Sequence, residues 1–381
     1  MDVEIVAATA LYLCAAYKYV LTDLKVRRSK STVRRRSWVH DERRNRTKQD
    51  LYKIVDNLLS DTSIGSSNFI RMSSVDFEFL LQKISPLITK QDTVCRESIP
   101  AKVRLAVTLR FLATGDSYSI LQDFFKVSRS VISIIVPEVC NALISILKNT
   151  VMKIPENQDQ WIMKSKGFQF PHCLGILDVK VMQSHLSTSK PGLYIISLFD
   201  SDHSFIQAEV TLFPINDGIF EKSELWKNVA SDPNLPEDTA LPYVFLSNIT
   251  HPSANVLTSV HGNFEENSAE YYFNERLNYS RQIADNTLAF MSSVFGVFNK
   301  PILLGSTKHE SLIMACIMLH NFLRQSPDSR DIYSPEGSFD FEEIYTAFSK
   351  TGFKDVQTPQ FEYEDNYFRD NFIKCMYEYD L

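Results

Sequence analysis

Residues 170–180 read FPHCLGILDVK. The run 173–177 is apolar apart from Gly175, has the length and flanks of a buried strand, and ends on one carboxylate, Asp178. A carboxylate at the C-terminal end of a buried strand is well placed to hold a metal ion, because the strand fixes it and the sheet edge opens to solvent. An Asp there more often opens the turn that ends the strand. Acidic positions further along the chain, on the right kinds of element, decide between these readings.

Working outward, 193–199 and 205–213 read as two further strands, joined by the turn-like tetrad Asp-Ser-Asp-His at 200–203. A short helix is predicted over 218–226. PYVFL at 242–246 is another buried strand, followed by Ser247 and Asn248. A helix is predicted over 273–290 with Leu277, Ala284 and Leu288 on one face, and Leu312, Cys316, Leu319 and Leu323 mark another. Beyond Gln325 the sequence is polar and acidic with interleaved aromatics and no strong period. It reads as a tail that is partly ordered at best, either a partner-binding segment or a solvated one.

Upstream the pattern is helical. Leu51, Ile54, Val55, Leu58 and Leu59 share a face, and Phe77, Leu80, Leu81 and Ile84 repeat the spacing after Ser73 and Ser74, an N-cap signal. Three more helices fall between Pro100 and Leu147. The last two are separated by a turn of about four residues, KVSR, and the third begins Ser128-Arg129-Ser130. A helix-turn-helix presents its recognition helix in this way, and so does an ordinary helical hairpin. Arg129 is almost the only positive charge on the solvent side of that helix before Lys148, fewer than groove readers usually carry. Pro155 and ENQDQ read as a linker into the sheet-forming half.

With 381 residues the chain exceeds one average core, and 44% hydrophobic with 23% charged composition excludes general disorder. The net charge of -6 hides an asymmetry. Residues 25–48 carry eleven Lys or Arg against Asp41 and Glu42, whereas from Asp328 onward there are thirteen Asp or Glu against five Lys or Arg. The basic segment, with Arg34, Arg35, Arg36, Arg43 and Arg44, suits nuclear import or contact with nucleic-acid phosphates. A solvated arm is the alternative. The six cysteines lack C-x-x-C pairing or histidines at ligand spacing, which fits reduced thiols and neither a disulfide framework nor a zinc module. Residues 5–16 are apolar, but Asp2 and Glu4 stand where a signal peptide is positive, and twelve residues are too few to span a bilayer, so a membrane partner is not expected.

Strand hairpins followed by a strand and helices are the layout of an RNase-H-like α/β domain. There, phosphodiester cleavage uses carboxylates from two strand ends and a helix to hold two divalent ions about 3.5–4 Å apart. FPHCLGILDVK, NDGIF (216–220), LPYVFLSNITHP (241–252), FNERLNYSRQIADN (273–286) and LHNFL (319–323) resemble, in order, the blocks of PIF/Harbinger-type DDE transposases and the nuclease-like genes domesticated from them. NFIRMS (68–73) and the stretch 104–140 resemble the helical region of the same proteins.

The resemblance implies an α/β, RNase-H-like DDE nuclease-type domain over 165–325. Before it would come an all-α, helix-turn-helix-containing domain over 50–154 and an arm over 1–49, with the acidic tail over 326–381 following. It places the family triad on Asp178, Asn248 and Asp285, so one carboxylate is replaced by an amide and another shortened from Glu. Val179 and Val181 stand where the family has Gly and His, the loop before the second strand is reduced to Ser189-Lys190-Pro191-Gly192, and Ile134 replaces a basic residue. A site with a missing charge holds Mg²⁺ or Mn²⁺ poorly. The resemblance therefore implies a nuclear, transposase-derived protein impaired in catalysis. Such a protein would act on DNA or chromatin through a Myb-like or MADF-like partner, with residual metal-dependent nuclease activity as the alternative reading. For Asp285 the chain also offers a plain i,i+4 ion pair with Arg281.

Overall fold

The computed structural model describes residues 47–60, 71–94, 97–182, 193–211, 223–238, 241–249, 253–299, 306–339, 353–356 and 367–379. The apolar segment 5–16, the basic segment with Arg34, Arg35, Arg36, Arg43 and Arg44, the 189–192 loop and the NDGIF block at 216–220 lie outside them.

Six helices lead into the sheet: α1 (Lys48–Ser60), α2 (Ser74–Ile88), α3 (Ala101–Thr114), α4 (Tyr118–Phe125), α5 (Arg129–Val151) and α6 (Gln158–Ser165). Local chemistry sets their starts. The Ser73 hydroxyl accepts from the Asp76 N–H to cap α2, as the sequence predicts. Asn157 does the same for α6 through Gln160, so the expected linker instead opens a helix, and its Trp161 is fully buried. α3 ends on Gly115 at φ 62, where a Cβ would come within 2.7 Å of the Gly296 carbonyl oxygen. Only glycine allows both that backbone and that approach. α5 is long and apolar enough to cross a membrane by length and composition. Its apolar face is covered here by α2, α3 and above all the helix of LHNFL.

Strands β1 (Cys173–Met182), β2 (Leu193–Phe199) and β3 (Phe205–Thr211) form an antiparallel meander. Next come α7 (Glu224–Ala230), β4 (Val244–Ser247) and β5 (Val256–Leu257), then α8 (Ala269–Val294), a 3₁₀ turn (Gly296–Asn299), α9 (Ser306–Gln325) and α10 (Arg330–Tyr333). The described chain closes with β6 (Phe353–Asp355) and α11 (Tyr367–Tyr379). The strand order is β3-β2-β1-β4-β5, with β4 and β5 parallel to β1 and to each other, and β6 pairs antiparallel with β1. The molecule is thus mixed α/β.

β1 is the central strand and nine of its ten residues are buried, which is why its sequence reads as one apolar run instead of an alternation. One face of the sheet, carrying Ile176 and Met182, joins a core that extends from Leu51 on α1 through α5, α8 and α9 to Phe372 and Met376 on α11. Leu177 and Val179, on the other face, pack with Trp161, Trp226 and Phe245 under α6 and α7. The helices before the sheet and the sheet itself therefore share one hydrophobic core.

Several expected boundaries move. β1 does not stop at Asp178 but runs to Met182, because β2 pairs with it as far as Met182↔Leu193 and β6 takes its other side at 180–182, beyond the reach of β4. Asp178 is therefore inside a strand. α8 starts four residues earlier than its apolar face suggests, because Ser268 caps it through the Tyr271 N–H. The described parts of the acidic tail are docked. Phe372 lies 5.4 Å from the ring of Phe170, and Phe353 packs on Phe298 at 5.1 Å.

Candidate active site

Side chains alternate along a strand, so Asp178 and Lys180 share the face of β1 that looks toward α8. Both are buried. The Lys180 ammonium lies 3.5 Å from Asp178 Oδ1, 2.6 Å from Asp285 Oδ1 on α8 and 2.5 Å from Asp355 Oδ1 on β6. Asp355 is placed by register, directly opposite Lys180 in the β1–β6 pair. Asp285 turns to the strand, and no ion pair with Arg281 one turn earlier forms among the described residues. Three carboxylates from three elements thus converge on one lysine.

The electrostatics follow from burial. Desolvation pushes the Asp178 carboxyl up to about 6, raised further by Asp285 and opposed by Lys180 and Arg281. Burial also works against the Lys180 charge, but the surrounding carboxylates win and hold its pKa above the ordinary lysine value. Asp178 Oδ2 is buried without a hydrogen-bond partner among the described residues.

Asn248 is the first residue after β4 and continues the β1–β4 pairing with its side chain. Its Oδ1 accepts from the Val179 N–H at 3.2 Å and its Nδ2 donates to the Val179 carbonyl at 3.2 Å. Both halves of the amide are thereby committed to one peptide position. A carboxylate here could accept the N–H but would set its second oxygen against the Val179 carbonyl. The sheet-edge geometry suits the amide.

A divalent ion placed between Asp178 and Asp285 would meet the Lys180 ammonium, and the Asn248 amide is held by its two hydrogen bonds to the Val179 peptide. The residues present do not fit a two-metal centre.

Other polar positions have structural partners. Asp200 Oδ1 accepts from the N–H groups of Asp202 and Ser204 to hold the β2–β3 turn, and its Oδ2 pairs with Lys164 at 2.7 Å. His320 lies within α9 but bonds outside it, with Nδ1 2.9 Å from the Tyr333 hydroxyl and Nε2 2.7 Å from the His203 carbonyl. Burial lowers its pKa to about 3. A neutral ring that donates to His203 and accepts from Tyr333 satisfies both contacts. His172 stacks on Tyr243 at 4.4 Å.

Of the expected DNA contacts, Ser128 precedes α5, and Arg129 and Ser130 are exposed on its first turn. Arg129 reaches back to Ser119 at 3.3 Å, and Ile134 on the same helix is 63% exposed. Compared with family models, with curated proteins and with solved structures, the chain matches none.

Lys180 is the member of this cluster that motif reading passes over. Its signal was present: a lysine two residues after an acid, in a strand buried on both faces, must find acidic partners on that acid's own side.

Proposed function

We propose that this chain is a transposase-derived protein with an RNase-H-like nuclease fold whose catalytic centre is inert, and that it works in the nucleus as a DNA- or chromatin-associated scaffold through protein partners. The fold reading is supported by an antiparallel β1-β2-β3 meander continued by parallel strands in the order 3-2-1-4-5. The reading of Asp178, Asn248 and Asp285 as triad positions is supported by their elements: the first strand, the residue after the fourth, and the following long helix. The helical half, with a three-residue turn between α4 and α5, is read as the helix-turn-helix region. The blocks that resemble PIF/Harbinger-type proteins carry the ancestry.

One observation carries the loss of catalysis. The Lys180 ammonium occupies the point on which Asp178, Asp285 and Asp355 converge. An internal cation balances the carboxylates that a nuclease leaves for metal, and unlike a metal it supplies neither an activated water nor a Lewis acid for the leaving oxygen. With the centre closed and a sparsely charged α5, DNA contact falls to residues 25–48 and to a partner of the Myb-like or MADF-like kind.

The test is nicking of supercoiled plasmid by the full chain in Mg²⁺ and then Mn²⁺, beside Asp178→Ala. Wild type and variant are expected to leave the plasmid at the level of the protein-free control. Cutting by wild type that Asp178→Ala abolishes would overturn the proposal and establish the residual-nuclease alternative.

A further inference from the structure

On the side of β1 away from β2, three separate pieces fill the strand in turn. β4 pairs along Cys173–Leu177, the Asn248 amide takes the Val179 peptide, and β6 takes Lys180–Met182. Without the last piece the end of β1 would present unpaired N–H and C=O groups, the condition in which a sheet edge accepts a strand from another chain.

β6 is held by little. It has three residues, of which only Phe353 is buried, packed on Phe298 at 5.1 Å, while Lys354 and Asp355 are exposed. What it covers is buried charge. The Lys180 side chain is 1% exposed, and Asp355, 66% exposed, reaches in to it at 2.5 Å. A buried ammonium favours an acid on whatever strand lies across it.

Register and charge together define that strand. In an antiparallel pair the residues opposite Met182 and Lys180 lie on one face, toward α8, and the residue between them on the other. Here they are Phe353 and Asp355, with Lys354 between, opposite Val181. The pattern is apolar, any residue, acid, read from N- to C-terminus. We infer that the end of β1 is a strand-binding edge occupied by the chain's own β6, and that an extended apolar-x-acid segment of a partner protein takes the same place. This gives the scaffold reading a partner surface, but it rests on the β1–β6 contacts, so plasmid cutting would leave it standing.

The experiment uses the full chain. The probe is the fluorescein-labelled nonapeptide of residues 350–358, KTGFKDVQT, titrated by anisotropy. A segment within the same chain competes at an effective concentration on the order of millimolar. The probe should therefore bind wild type weakly, and bind the double variant Phe353→Ala/Asp355→Ala, whose own strand is weakened, about tenfold or more tightly. Replacing the probe's aspartate with asparagine should weaken its binding to that variant about tenfold, because a charge-assisted contact is lost. A probe keeping only the Phe and the Asp, among Gly and Ser, should bind within about fivefold of the first. Should the variant fail to fold, hydrogen exchange of wild type decides. The amides of β6 should exchange at least about tenfold faster than those of β4 on the same side of β1, as in a segment that opens by itself. Affinities of wild type and variant within about twofold, indifference to the aspartate, no binding by the Phe-and-Asp probe, or β6 amides as protected as those of β4 would each overturn the proposal. So would a wild-type dimer that the double variant dissolves, since the occupant would then be a second copy of this chain.

Discussion

Replacing Lys180 with methionine removes one charge and little volume, and the structure says where the resulting energy should appear. The lysine side chain is 1% exposed and that of Asp178 3%, whereas Asp285 and Asp355 are 39% and 66% exposed. The two outer carboxylates can rehydrate, and losing their partner costs about 0–1 kcal/mol each. Asp178 cannot. Breaking a buried pair by deleting one member typically costs about 3–5 kcal/mol, and Asp178, with Oδ2 already unpartnered, is where most of it falls. Urea unfolding followed by the fluorescence of Trp161 and Trp226, on the far side of β1, measures it. The double variant Lys180→Met/Asp178→Asn, which leaves a neutral pair of similar shape, should recover to within about 1 kcal/mol of wild type. The pH dependence adds a sign. Without the lysine, the Asp178 pKa rises beyond its already raised value of about 6, against an ordinary 3.8. A carboxyl whose folded pKa is raised stabilises the fold at low pH and loses that contribution as pH rises through the folded value. The deficit of Lys180→Met should therefore be smaller at pH 5 than at pH 7. A loss below about 1 kcal/mol, or a deficit that grows on acidification, would refute the reasoning.

Two further predictions follow from neighbouring contacts. Asn248→Asp, which restores the charge at the triad position, should cost about 1–3 kcal/mol by facing a carboxylate oxygen to the Val179 carbonyl and should not restore plasmid cutting, because Lys180 remains; cleavage by this variant in Mn²⁺ would contradict it. Burial lowers His203 and His309 to about 4 and His320 to about 3, from an ordinary 6.5, so their neutral forms contribute stability above pH 6.5 that is lost as pH falls toward 4. Less the opposing term from Asp178, unfolding at pH 5 should take up about two protons, read from the slope of unfolding free energy against pH; an uptake near zero would show that these rings are not held neutral.

Periodicity alone is enough to find β1 to β4, α8 and α9, because each is a long apolar pattern buried by its neighbours. It fails where structure depends on distant parts of the chain. The end of β1 is set by its pairing with β2 and with β6, a three-residue strand in an acidic stretch with no period of its own, so the apolar Val179, Val181 and Met182 do not by themselves fix where the strand stops. Asp355 is invisible as a site residue for the same reason. The tail's order rests on a few anchors, Phe353, Phe372 and Met376, which pack against Phe298, Phe170 and α8 without making an amphipathic run long enough to stand out. Lys180 is different in kind. The sequence shows it plainly, but a motif that looks for carboxylates does not ask what neutralises them.

The pairing of Lys180 with Asp355 joins residues 175 positions apart. A ribosome adding about 5–20 residues per second emits the lysine roughly 10–35 s before its outer partner. Through that interval β1 lacks β6 along 180–182, and the nascent sheet has a short open edge beside a charge that is not yet fully paired. Chains halted before residue 353 carry that edge for as long as they last, and are the form of this protein that chaperones and proteases should recognise first.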